Sequence, residues 1–221
     1  FDENVDMKPT DVRGYMINDS VQVDRDDDGY YDVPHYITVK WRNDDGDGKP
    51  DFAALVSQDT AQVFGQVHLF RNLGAGEFRD TELWSTDNLA YGCSGLDVAD
   101  INRDGRPDLI LSNGDGFNSA FAAPAPWHGL QWLENLGSGN FRYHRIGDSP
   151  GCYSPVAADL NGDGYMDIVT VSGFNQAIDS ASVWMTAWLN DGHEHFTPVP
   201  LTRDLTWLIT VAAGDLDGNG V

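Results

Sequence analysis

Oxygen-bearing side chains recur in this chain at a spacing that suits a hard cation. From Asp159 to Asp167 the residues Asp159, Asn161, Asp163 and Asp167 occupy positions 1, 3, 5 and 9 of a short loop, with Gly164 at position 6. Three further copies run Asp24, Asp26, Asp28, Asp32; Asn43, Asp45, Asp47, Asp51; and Asp100, Asn102, Asp104, Asp108. A fifth opens with Asp215, Asp217 and Asn219, and Val221 ends the chain before position 9. Alternating carboxylate and amide oxygens around a tight glycine turn are what calcium requires, since it takes about six to eight oxygen ligands and position 7 can add a backbone carbonyl. The reading is one Ca2+ per loop, up to five in all.

An EF-hand loop opens in the same way, but it closes with a bidentate Glu at position 12 and lies between two helices. Position 12 here is His35, Ala54, Leu111 or Thr170, so the closing ligand is missing from each complete copy. Short apolar runs enter the loops (Val98-Ala99, Val156-Ala157-Ala158, Val211-Ala212-Ala213), and most are followed by strand-forming residues such as Leu109-Ile110-Leu111 and Ile168-Val169-Thr170-Val171. The loops are therefore expected inside β-hairpins.

The loops must be carried by a repeat longer than themselves. Those at 43, 100, 159 and 215 are spaced by 57, 59 and 56 residues. About 30 residues into each of the first three comes a second signature: Leu69 to Phe78, Leu130 to Phe141 and Trp188 to Phe196. Each is an alternating strand, an Asn/Gly turn and an aromatic that restarts a strand, hence a second hairpin. Each unit then holds about four strands, the first hairpin turned by a cation loop and the second by glycine. Four-stranded units repeated at this period predict an all-β propeller with blades of about 55–60 residues.

These loops, followed by Trp132-Leu-Glu-Asn-Leu-Gly-Ser-Gly-Asn-Phe141, resemble FG-GAP/VCBS-type repeats over roughly residues 43–221. That family builds calcium-loaded propellers in integrin α-chain heads, some lectins and many microbial secreted proteins. The resemblance implies an extracellular calcium-binding module for adhesion, recognition or assembly. It also implies two alternatives: the propeller domain of a secreted polysaccharide lyase or sugar dehydratase, or a lectin. Function sits in sites grafted on a fold, so the resemblance speaks to architecture and metal more than to activity. Repeat boundaries taken at the loops give an N-terminal segment 1–42 with an extra calcium hairpin, blades at about 43–99, 100–158 and 159–214, and the start of another at 215–221. The unfinished fifth loop predicts an incomplete propeller, completed by the rest of a longer chain or by other copies of this one.

The net charge of −22 is extreme, and 17 of the 35 acidic residues lie inside the five loops. Five bound Ca2+ would bring the formal charge to about −12. Such acidity argues against nucleic acid and anionic membranes as partners, and no apolar run approaches the roughly 18 residues of a membrane span. Weak calcium sites suit extracellular calcium levels, so a secreted or cell-surface location is expected. Cys93 and Cys152 each stand seven residues before the first ligand of a loop; from sequence they are equally compatible with a disulfide or with two buried thiols.

Carboxylates outside the loops (Glu77, Glu82, Asp97, Glu134, Glu194) form no recognisable catalytic pair, and neither a Ser/His/Asp elbow nor a phosphate loop is present. No catalytic or organic-cofactor residue is assigned. His193-Glu-His195 has alternating metal-ligand spacing but falls in a glycine turn, where an exposed turn is the simpler reading. Trp127, in a long Gly/Ala/Pro-rich loop of about 114–129, is the candidate platform for a glycan.

Overall fold

The computed structural model describes residues 37–42, 47–56, 64–88, 91–114, 125–173, 183–203 and 208–214. They form twelve strands and, among the described residues, no helix. The chain divides into two compact units after Leu89.

The first unit holds one antiparallel sheet in chain order: β1 (Ile37–Arg42), β2 (Asp51–Val56), β3 (Phe64–Gly74) and β4 (Glu77–Thr86). The second unit holds two sheets of the same design. One is β5 (Cys93–Ala99), β6 (Asp108–Asn113), β7 (Gly129–Gly137) and β8 (Asn140–Asp148); the other is β9 (Cys152–Ala158), β10 (Asp167–Ser172), β11 (Met185–Asn190) and β12 (Phe196–Thr202). Each sheet is a meander of two hairpins, as the repeat predicts. The sheets span 37–86, 93–148 and 152–202, so the strand before each loop belongs to the same sheet as the strand after it. Structural blades thus begin one strand ahead of boundaries drawn at the loops.

The second strand of each sheet (Asp-Phe-Ala-Ala-Leu-Val, Asp-Leu-Ile-Leu-Ser-Asn, Asp-Ile-Val-Thr-Val-Ser) is buried along its whole length. A strand covered on both faces reads as a near-continuous apolar run rather than an alternating one. The fourth strands β4, β8 and β12 are largely exposed.

Glycine sets the second hairpins. Gly74 pairs with Glu77 and Gly137 with Asn140, leaving two-residue turns at Ala75-Gly76 and Ser138-Gly139. All four turn residues have positive φ, between 55° and 85°, the type I′ geometry that matches strand twist.

Within the second unit the two sheets share a core of Ala99, Ile101, Ile110, Leu130, Trp132, Cys152, Ile168 and Trp188. The Trp188 indole donates to Thr170 Oγ1 at 2.9 Å, and its ring lies where a Cβ on Gly147 would stand, 2.5 Å away. A glycine there lets the outer strand of one blade meet the tryptophan of the next. Strand β9 is tied to β5 by Ala157 N–H to Asp97 Oδ2 (2.8 Å) and by Ser94 Oγ–H to the Cys152 carbonyl. Cys93 and Cys152 are buried and not joined in a disulfide, and burial pushes the Cys152 thiol up to about 12, which makes it a packing group rather than a nucleophile.

Candidate metal centre

Each first hairpin turns through eight residues, because the ladder closes at Arg42–Asp51, Ala99–Asp108 and Ala158–Asp167. The last residue of the motif is therefore the first residue of the second strand. Asp51, Asp108 and Asp167 are all buried, at 1% exposure or less. Asp108 Oδ2 accepts the N–H of Ile101 (3.0 Å) and its Oδ1 the N–H of Asn135 (2.8 Å). Asp167 repeats this with Leu160 (3.0 Å) and Asn190 (2.8 Å), and Asp51 takes the N–H of Asn72 at 2.8 Å. One carboxylate thus ties the mouth of the cation loop to the turn of the glycine hairpin.

In the two loops of the second unit, oxygens of positions 1 and 3 accept backbone N–H groups of the same loop. Asp100 Oδ1 and Asn102 Oδ1 both accept the N–H of Asp104, each at 3.1 Å, and Asp100 Oδ2 accepts that of Gly105 at 2.9 Å. In the third sheet Asp159 Oδ1 (3.1 Å) and Asn161 Oδ1 (2.9 Å) converge on Asp163 N–H, and Asp159 Oδ2 takes Gly164 N–H at 2.8 Å. Oxygens from positions 1 and 3 are thus gathered about one point in both loops. Gly48, Gly105 and Gly164 all have φ near +85°, and nothing stands within 4 Å of a Cβ on Gly48 or Gly105. The backbone conformation, not crowding, calls for glycine at position 6.

The residue types are ones that could hold calcium: hard oxygens only, around a glycine turn, with a buried carboxylate at position 9. Burial raises Asp108 to about 7, against the pull of the Asn135 and Ile101 N–H groups and with further upward pushes from Asp104 and Asp100. Arg106 and Lys49, at position 7, ion-pair with Asp104 and Asp47 at position 5; Tyr165 takes that place in the third loop. Among the described residues no group of three His, Cys, Asp or Glu side chains is arranged to hold a metal.

Of the residues singled out by sequence, Asp24, Asp26, Asp28, Asp32, Asn43, Asp45, Asp215, Asp217 and Asn219 lie outside the described residues. Sequence reasoning missed Asn72, Asn135 and Asn190, which it took for turn formers. Each donates its amide to the carbonyl at position 8 of its own loop (Pro50, Pro107 and Met166) as well as bonding the buried Asp. The signal was an Asn at a similar distance after the ninth-position Asp in each repeat.

The chain matches the model of the FG-GAP-like repeat family at residues 45–111 and 113–170, more than half its length. It belongs to the FG-GAP-like repeat family. No curated protein matches it. FG-GAP-like repeats imply a propeller-like fold, and each of the three sheets has the four-stranded antiparallel form of a propeller blade.

His193 and His195 lie in the turn before β12, with more than four-fifths of each side chain exposed and both imidazoles drawn towards Asp191. Trp127 is exposed, while its carbonyl accepts Asn113 Nδ2–H (3.0 Å) and an Arg145 N–H (2.9 Å). Beneath it, His128 is buried and accepts the Ala125 N–H at Nδ1 (3.2 Å). Desolvation, with Arg145 nearby, lowers His128 to about 4. The folded value lies below the ordinary 6.5, so this group's stabilisation is complete above pH 6.5 and is lost as pH falls through 4. A proton-linked loss of up to about 3 kcal/mol is expected over that interval. Its check is the His128 imidazole titration by NMR, expected to have its midpoint below 5; a midpoint at 6 or above would contradict it.

Proposed function

We propose that this FG-GAP-like repeat chain is an extracellular, calcium-clamped propeller module acting in adhesion, recognition or assembly. Its loops hold calcium as structural cross-links: Asp100, Asn102, Asp104 and Asp108 in one, Asp159, Asn161, Asp163 and Asp167 in the next, with Asp47 and Asp51 in the first sheet.

The observation that supports the assembly role is a difference in burial between the second and third sheets. After the third sheet, Thr210 Oγ1 and Val211 N–H both meet Ser154 Oγ of β9 at 3.4 Å. Residues 208–214 form no ladder among the described residues, and Ile209 is 60% exposed. Leu160, the counterpart of Ile101, is 39% exposed, whereas Ile101 is covered by the neighbouring blade at 1%. A further blade, from a longer chain or another copy, would cover Leu160 and Ile209.

Light scattering after size exclusion tests this reading on the 221-residue chain. Association into two or more copies in millimolar calcium is expected, reversed by EGTA and weakened by Leu160→Asp. A monomer in calcium at tens of micromolar would count against self-assembly.

A further inference from the structure

The two loops of the second unit are joined through the protein interior. Asn190 donates its backbone N–H to Asp167 Oδ1 (2.8 Å). Its side-chain amide reaches the Met166 carbonyl (3.2 Å) and crosses to the Ile101 carbonyl of the neighbouring loop (3.1 Å). The N–H of Ile101 is held in turn by Asp108 Oδ2 at 3.0 Å. The ninth-position carboxylates of adjacent loops are thus ends of one hydrogen-bonded chain, Asp108–Ile101–Asn190–Asp167, every member of which is at most 2% exposed.

A second link crosses the surface. Arg103, at position 4 of its loop with φ of 59°, lays its guanidinium over the Tyr165 ring, 5.1 Å from the centroid. One guanidinium nitrogen lies 3.2 Å from where a Cβ of Gly164 would stand. Tyr165 is itself seated on Gly192, in the turn that follows Asn190.

We propose that calcium binding at the Asp100 loop and at the Asp159 loop is positively coupled, with Asn190 and the Arg103–Tyr165 contact as the coupling residues. The proposal rests on the calcium reading of the loops. A cation drawing on Asp108 fixes the Ile101 peptide, which holds the Asn190 amide and so keeps Asp167 in place for the second ion. The first ion then meets part of the ordering cost of the second site. Repulsion between the two ions acts in the opposite sense, but through solvent it is screened over about 8 Å at physiological salt, while the buried chain is not.

The test is a calcium titration of the full chain at physiological ionic strength. It is followed by NMR at the Gly105 and Gly164 amides, which bond the first carboxylate of each loop. Asp104→Ala, which disables the first loop, is expected to weaken binding at Gly164 by about five-fold or more. Asp163→Ala is expected to weaken binding at Gly105 by the same factor, because coupling free energy is reciprocal; a merely structural disturbance has no reason to give equal factors. Asn190→Ser should bring both factors towards one. Because Asn190 also holds Asp167, Arg103→Ala serves as a second variant that leaves the core untouched and should reduce them too. Independent or unequal effects at the two glycines overturn the coupling. Absence of any calcium-dependent shift at either glycine overturns the calcium reading, and the proposal with it.

Discussion

Replacing Asp167 with alanine is expected to destabilise the second unit by about 3–5 kcal/mol even in the absence of calcium. The carboxylate is fully buried and accepts two backbone N–H groups from different segments, Leu160 in the cation loop and Asn190 in the glycine hairpin. Removing it leaves two buried donors without an acceptor, at about 1–3 kcal/mol each. Water entering a blade interior can recover only part of that. Asp163→Ala provides the contrast. Asp163 is exposed, and its side chain serves the Tyr165 N–H (2.8 Å) and the Asn161 amide (2.9 Å) within the same loop. Its loss should cost less than about 1 kcal/mol in EGTA but abolish the stabilisation that calcium gives at this loop. Urea unfolding of both variants, each with and without calcium, separates the roles. Asp167→Ala within 1 kcal/mol of the parent in EGTA would show that position 9 is a ligand and nothing more.

The strands after each loop were plain because Leu109-Ile110-Leu111 and Ile168-Val169-Thr170-Val171 are buried on both faces, and such burial leaves an uninterrupted apolar run. The glycine hairpins were equally plain, since positive φ at both turn residues narrows the choice of side chain. Ion-ligand types at fixed offsets gave the loops. The strands before the loops were harder to read. Cys93 to Ala99 carries Gly95 and Asp97, and Cys152 to Ala158 carries Pro155. Both are accommodated by tertiary devices: Asp97 by the Ala157 N–H across the sheet boundary, and Pro155 by a bulge in the β9–β10 ladder between Val169 and Val171. Neither device leaves a local pattern. For the same reason Asn190 looked like an ordinary turn residue, because the carbonyl it bonds at Ile101 lies 89 residues away in sequence.

Calcium removal is the other change expected to have a large effect. A ligand that binds only the folded state stabilises it by RT ln(1 + [L]/Kd). For a site with a dissociation constant near a tenth of the free calcium concentration, that is about 1.4 kcal/mol per loop. The second unit contains two complete loops, at Asp100 and Asp159, so a loss of about 3 kcal/mol in EGTA is expected. For a domain of this size that corresponds to a fall of roughly 10 °C in Tm. Charge adds to it, because a chain of net charge −22 with its acids concentrated in loops repels itself most strongly when those loops are empty. The two contributions respond differently to salt. Self-repulsion is screened by added sodium chloride, whereas cross-linking of a loop by calcium is not replaced by a monovalent ion. Melting curves in calcium, in EGTA, and in EGTA with 0.5 M salt should therefore fall in the order calcium, salt, EGTA, with salt recovering only part of the difference. Acid should erode the calcium increment as well: with Asp108 raised to about 7, the proton competes with calcium for that carboxyl as pH falls below neutrality. A Tm that EGTA leaves unchanged at pH 7.5 would remove calcium from the account of this fold and leave the loops as hydrogen-bonded turns closed by Asp108 and Asp167 alone.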